Sequence, residues 1–147
     1  MRAPRRAHRA LKDDDAPLRH RMAALLLRYP DEHTAALLDD VREALPAIRH
    51  RPHREQLADV AGRLRAVPPA EAARTYVETF DHTRRRSLHL TYYRHGDTRA
   101  RGMALLALKH VYRQAGYVPP ERELPDFLPV VLEFASLAPG PGRRVLL

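Results

Sequence analysis

The side chains in this chain that could do chemistry are nine histidines, eighteen carboxylates and two serines, Ser87 and Ser136. His82, His89 and His95 come nearest to a metal-ligand set. They are separated by seven and six residues, whereas chelation from one helix needs i, i+3 or i, i+4. His50 and His53 flank a proline among arginines, whose charge would repel a cation. No His-Glu-x-x-His occurs, so no metal site is expected and the histidines read as surface or capping residues. Neither serine lies in a Gly-x-Ser-x-Gly turn, and no glycine precedes a Lys-Ser/Thr pair. Asp81 and His82 are adjacent, and adjacent side chains seldom converge on one substrate atom. The absence of cysteine removes disulfides, thiolate catalysis and Cys-held zinc or iron–sulfur clusters. The inventory predicts a protein that is not an enzyme and carries no cofactor.

The 147 residues include 26 Lys plus Arg against 18 Asp plus Glu, a formal charge of +8. A basic balance suits phosphate, because arginines gain affinity by releasing its counterions. An Arg-rich helical nucleic-acid-binding module is therefore the alternative reading. Against it, only Lys12 and Lys109 are lysine, alanine abounds and asparagine is absent, a bias that genomic base composition also produces. Only Arg2 to Lys12 and Arg84 to Arg101 are locally strongly basic, so no stable nucleic-acid complex is expected. No apolar run approaches ~20 residues, which predicts no membrane insertion. Arg5-Arg6 is followed by charge where a secretory signal needs an apolar stretch, which places the protein in the cytoplasm.

These side chains must be positioned by helices. Leu18, Met22, Leu25, Leu26 and Tyr29 share one helical face that ends at Pro30, and Asp31 is placed to cap the next helix. Further stripes are Leu37, Val41, Leu45 and Ile48, with Pro46 a kink or end, and Leu57, Val60, Ala61, Leu64 and Val67. Pro69 opens a fourth helix carrying Ala73, Tyr76, Val77 and Phe80. His82 to Gly96 has no clean period and reads as a short helix or irregular connection. Asp97 or Thr98 then caps a helix facing Leu105, Leu108, Val111, Tyr112 and Ala115 inward, with Gly116 after its end. A sixth holds Phe127, Val131, Phe134 and Ala135. The expected architecture is an all-α, single-domain bundle of about six helices. A mobile charged arm (1–15) precedes the helical domain (16–138), and a Pro/Gly-rich tail (139–147) follows it.

Three blocks are more polar and more specific than a generic bundle requires. The first is Tyr76-Val77-Glu78-Thr79-Phe80-Asp81, followed by Arg86-Ser87-Leu88-His89-Leu90-Thr91. The second runs Gly96-Asp97-Thr98-Arg99-Ala100-Arg101-Gly102-Met103. The third is Glu123-Leu124-Pro125-Asp126-Phe127-Leu128-Pro129, ending in Glu133-Phe134. In order and spacing these blocks, with the weaker Leu26-Leu27-Arg28-Tyr29-Pro30, resemble the NarJ family of respiratory nitrate reductase assembly chaperones. That family lies within the TorD-like molybdoenzyme chaperones, and the resemblance covers about Leu18 to Leu137.

The resemblance implies a cofactor-free helical chaperone that binds the N-terminal segment of the nitrate reductase catalytic (alpha) subunit. It would hold that subunit for insertion of the molybdenum cofactor and an iron–sulfur cluster. A groove for an amphipathic peptide needs apolar anchors and a few polar groups that fix register. Tyr76, Phe80, Leu88, Leu90, Met103, Leu106, Leu124 and Leu128 are the candidate anchors. Asp81, Asp97, Asp126 and Glu133, with His89 and Arg101, are the candidate polar contacts. Arg86, Ser87, Gly96, Gly102, Pro125 and Pro129 are expected to shape the motif, the glycines through backbone freedom and close helix approach. Arg86 and Arg101 are the expected internal partners of Asp81 or Asp97. Phe127 departs from the family, where many relatives have His, so no imidazole role is carried over to it. Family members usually add further helices, so the bundle is expected to lack the last of them and to expose an apolar face that favours a homodimer.

Overall fold

The computed structural model describes residues 15–138, so the expected tail and all of the expected arm except Asp15 lie outside the described residues. The fold is all-α. Among the described residues there are seven α-helices: α1 (Ala16–Leu26), α2 (Glu32–Ala44), α3 (Arg51–Ala66), α4 (Pro69–Tyr76), α5 (Leu90–His95), α6 (Arg99–Gln114) and α7 (Leu128–Leu137). Pro17, Pro52, Pro69 and Pro129 stand in the first turns of α1, α3, α4 and α7, where a missing N–H breaks no helical bond. Asp31 caps α2 by accepting the Thr34 N–H at 2.7 Å. Pro46 sits in a 3₁₀ turn, Leu45–Ala47, that ends α2. Asp15 belongs to the folded unit rather than to an arm: its side chain is buried and accepts the Arg49 N–H at 2.6 Å.

Two apolar clusters lie on either side of α1. Met22, Leu26, Leu38, Val41, Leu45, Ile48 and Ala61 form the first, between α1, α2 and α3. Tyr112, Val130, Phe134 and Ala138 form the second, beneath α6 and α7. The most extensive helix pair is α1 with α7, which joins the two. Each large side chain in these clusters contributes roughly 1.5–3 kcal/mol by leaving water. The stripes predicted from sequence supply most of the first cluster. Tyr29, Leu37, Val60 and Val67 are the exceptions: Tyr29 and Val67 lie past the ends of α1 and α3, Leu38 rather than Leu37 enters the cluster from α2, and Val60 lies on the outer side of α3.

The segment without a clean period is irregular. After Tyr76 the helix widens into one π turn, Val77–Asp81, closed by the His82 N–H on the Val77 carbonyl at 3.2 Å. A 3₁₀ turn of Arg84–Arg86 and the short α5 follow, and α5 stops at Gly96, whose φ of 55° suits glycine. Thr98, not Asp97, takes the N-cap position of α6, and its hydroxyl donates to the His95 carbonyl at 2.7 Å instead of capping. Gly116, at φ 71°, closes α6 as expected, and Phe127 precedes α7 as its cap residue rather than lying within it. Gly102 does not serve a close helix approach among the described residues, since a Cβ there would meet nothing within 4 Å.

Candidate functional site

The three polar blocks meet. Block one and block three run past each other in opposite directions: Leu90 N–H donates to the Asp126 carbonyl at 3.1 Å, and Leu128 N–H to the Leu88 carbonyl at 2.7 Å. This crossing sets the Asp126 carboxylate, fully buried, against Thr91 and His89. It accepts the Thr91 N–H at 3.1 Å, the Thr91 hydroxyl at 2.6 Å and a bond from His89 Nδ1 at 3.2 Å. Burial pushes its pKa up, but the bonds from His89 and Thr91 outweigh that and hold it below the ordinary 3.8. Block two supplies Arg101. Its guanidinium lies 3.8 Å from Asp126, reaches Thr91 Oγ1 and Asp97 at 3.3 Å each, and lies 5.7 Å from the centre of the Tyr92 ring.

Two cavities open above this clasp. One, of about 290 Å³, is lined by Tyr76, Phe80, Asp81, Ser87, Leu88, His89, Asp97 and Arg101, with Arg84, Tyr92 and Phe127. The other, of about 330 Å³, lies between Tyr29, Asp31, Glu123, Pro129 and the end of α1. They share Tyr76, Asp81 and Phe127, so together they make one groove across the molecule. Its wall is aromatic. Tyr76 packs edge-on against Tyr29 at 5.5 Å and Phe80 at 4.9 Å, and its hydroxyl donates to the Leu27 carbonyl at 3.1 Å. Burial, then the charges of Asp81 and Glu123, push the Tyr76 phenol up to about 12. Phe127 packs against the His89 imidazole at 5.4 Å. The π turn carries the chain from Tyr76 to Asp81, so both ends of this turn line the groove.

The remaining candidates divide plainly. Ser87 is structural: its hydroxyl accepts the His89 N–H at 3.2 Å, and its carbonyl accepts the Tyr93 hydroxyl at 2.7 Å. The Pro125 carbonyl accepts the buried Tyr112 hydroxyl at 2.6 Å. Of the two arginines expected to pair internally, Arg101 does so with Asp97, whereas Arg86 is exposed on its 3₁₀ turn. Glu133 lies outside the groove, bound to Arg28 at 2.6 Å, and pins α7 to the chain just after α1. Met103 and Leu106 are 66% and 59% exposed on the outer side of α6, also away from the groove, and Leu90 and Leu124 are exposed. Leu128 is half-buried under the clasp. Glu123, Tyr29, Tyr92 and Phe127 line the groove without having been singled out. Glu123, Phe127 and Tyr29 stand inside quoted motifs, and that position was the available signal. Among the described residues no three His, Asp or Glu side chains are grouped to hold a metal, and no helix is long and apolar enough to cross a membrane.

Residues 35–140, which include all three blocks, match the family described as nitrate reductase delta subunit. The chain belongs to that family. Among curated relatives of this chain, the probable nitrate reductase molybdenum cofactor assembly chaperone NarJ of Bacillus subtilis is 41% identical over 113 residues. That alignment covers 77% of this chain and 61% of the relative. The nitrate reductase molybdenum cofactor assembly chaperone NarJ of Escherichia coli K12 is 35% identical over 116 residues, covering 78% of this chain and 49% of its own. The nitrate reductase-like protein NarX of Mycobacterium tuberculosis is 41% identical over 125 residues, 84% of this chain but 19% of that much longer polypeptide. The chain thus spans about half to three-fifths of the length of the two NarJ proteins.

Proposed function

We propose that this protein is a nitrate reductase assembly chaperone that catalyses nothing and acts in the cytoplasm. It holds the N-terminal segment of the catalytic (alpha) subunit in the groove across Tyr76 and Phe127 while the molybdenum cofactor and an iron–sulfur cluster are inserted. One observation carries the reading. In a chain of charge +8, the three polar blocks converge on an aromatic groove that presents carboxylates, the surface an amphipathic basic peptide would need. The names of the Bacillus and Escherichia relatives support the same role.

The reading also divides labour among the motif residues. Asp126, His89, Thr91 and Arg101 hold the groove floor in shape, and Tyr76, Phe80, Asp81 and Phe127 meet the peptide. The direct test is calorimetric titration of the catalytic subunit's first ~15–20 residues, a few helical turns. Saturable micromolar binding that persists from about 50 to 200 mM salt is expected, because helix-in-groove contacts are mainly apolar. Absence of saturable binding would remove the chaperone reading. Strong binding of duplex DNA that collapses over the same salt range would favour the nucleic-acid alternative.

A further inference from the structure

Most carboxylates near the groove are already engaged. Glu133 holds Arg28, Asp97 holds Arg101, Asp126 is enclosed by the clasp, and Asp31 caps α2. Asp81 and Glu123 are different. Both line the 330 Å³ cavity, both are exposed, and neither carboxylate makes an ion pair or hydrogen bond among the described residues. The nearby cations do not neutralise them. Arg28 is committed to Glu133, and Arg84, which lines the 290 Å³ cavity with Asp81, makes no ion pair with it. His33 lines the same cavity and bonds to neither carboxylate.

Tyr76 lines the cavity with these two acids and feels the charge of both. Its ring is fixed by the bond to Leu27 and by packing on Tyr29 and Phe80. A cation entering this cavity therefore meets two unpaired carboxylates beside a fixed aromatic ring. A guanidinium fits that arrangement better than an ammonium. It is planar, stacks on a ring, and presents donors in several directions at once.

We propose that Asp81 and Glu123, with Tyr76 as the stacking wall, select an arginine side chain at one position of the docked peptide. The inference rests on the groove being the peptide site and adds to it a specific residue class and a register. The apolar face meets the aromatic wall, and the arginine fixes which turn of the peptide lies over Tyr76. Other basic residues of the peptide make no such contact.

The experiment is a double-mutant cycle in about 150 mM salt. The full chain, Asp81→Asn, Glu123→Gln and the double variant are each titrated with the catalytic subunit's N-terminal peptide. The peptide is used intact and with each basic residue in turn replaced by Gln, and each Arg by Lys. Glu78→Gln, on the same turn but outside both cavities, is the control. The double variant is expected to lose about tenfold or more of the intact peptide's affinity. It should lose almost nothing for the one peptide lacking the selected arginine, and the Lys peptide should fall in between. A peptide that binds the unaltered chain but is indifferent to both substitutions overturns the arginine subsite and leaves the groove reading standing. So does an equal loss for every peptide, which would signal general electrostatics. A peptide that does not bind the unaltered chain overturns both. Unchanged thermal unfolding of the exposed-site variants shows that any loss is one of binding.

Discussion

The two halves of the molecule are held together by different forces. Around α1, α2 and α3 the interior is a plain apolar cluster, from Met22 and Leu26 through Val41 to the fully buried Ile48. Around α5, α6 and α7 the smaller apolar cluster is supplemented by a buried carboxylate, Asp126, with its bonds to Thr91 and His89. An apolar cluster tolerates exchange of one hydrocarbon for another of similar volume. A buried polar clasp tolerates almost nothing, because removing one member leaves the others desolvated and unpaired. The groove lies against the second kind of interior, where its lining residues are fixed by direction as well as by volume.

The contrast can be broken most sharply at Asp126. Asp126→Ala orphans the Thr91 N–H and hydroxyl, and it is expected to cost about 3–5 kcal/mol, read by urea unfolding. Asp126→Asn sharpens the point through pH. The folded pKa lies below the ordinary 3.8, so the stability this carboxylate contributes is complete above that value. It drains away as pH falls through the lower folded pKa. The Asn variant lacks this increment, and below pH 4 its unfolding free energy should vary less steeply than that of the unaltered chain. A stability curve as steep as the unaltered chain's would erase the distinction between the two interiors.

In the apolar half the response should be graded by volume instead. Ile48→Ala is expected to lose about 2–4 kcal/mol and Ile48→Val about 1, with no pH signature in either. The smallest effect belongs to the helix cap. Asp31→Ala removes the acceptor for Thr34 N–H at the start of α2 and should cost about 1 kcal/mol by thermal unfolding.

The same contrast governs how far the sequence could be read. The stripes of Leu18 to Leu26 and of Val41 to Ile48 announce their helices, because burial against a neighbour imposes a period and nothing else. Pro46, Pro69 and Asp31 mark ends for equally local reasons. The clasp obeys no period. That His89 and Asp126 touch depends on two non-helical segments crossing, 37 residues apart, and no local rule encodes that. The motif blocks identified Asp126 as special without saying that it would be buried, and it read as a peptide contact. The π turn is invisible to a 3.6-residue count, which is why Tyr76 and Phe80 looked like an ordinary stripe. Met103 and Leu106 read as anchors by type, yet they face outward on α6. Glu123, as a lone exposed glutamate, looks in sequence like a solvated surface charge. Its relation to Asp81 and Tyr76 exists only in three dimensions.

The 37-residue separation of His89 and Asp126 also bears on the order of events during folding. Closing a loop of that length carries an entropic cost that grows with the logarithm of the length. Forming α6 first draws the intervening chain into a stiff rod with far fewer conformations. The clasp is therefore expected to be a late contact that joins segments already ordered. A nascent chain would possess its apolar N-terminal half, and a rate of reaching it, before it possesses a groove. The floor of the groove would then be completed in the last step of folding, when Asp126 is sealed from water.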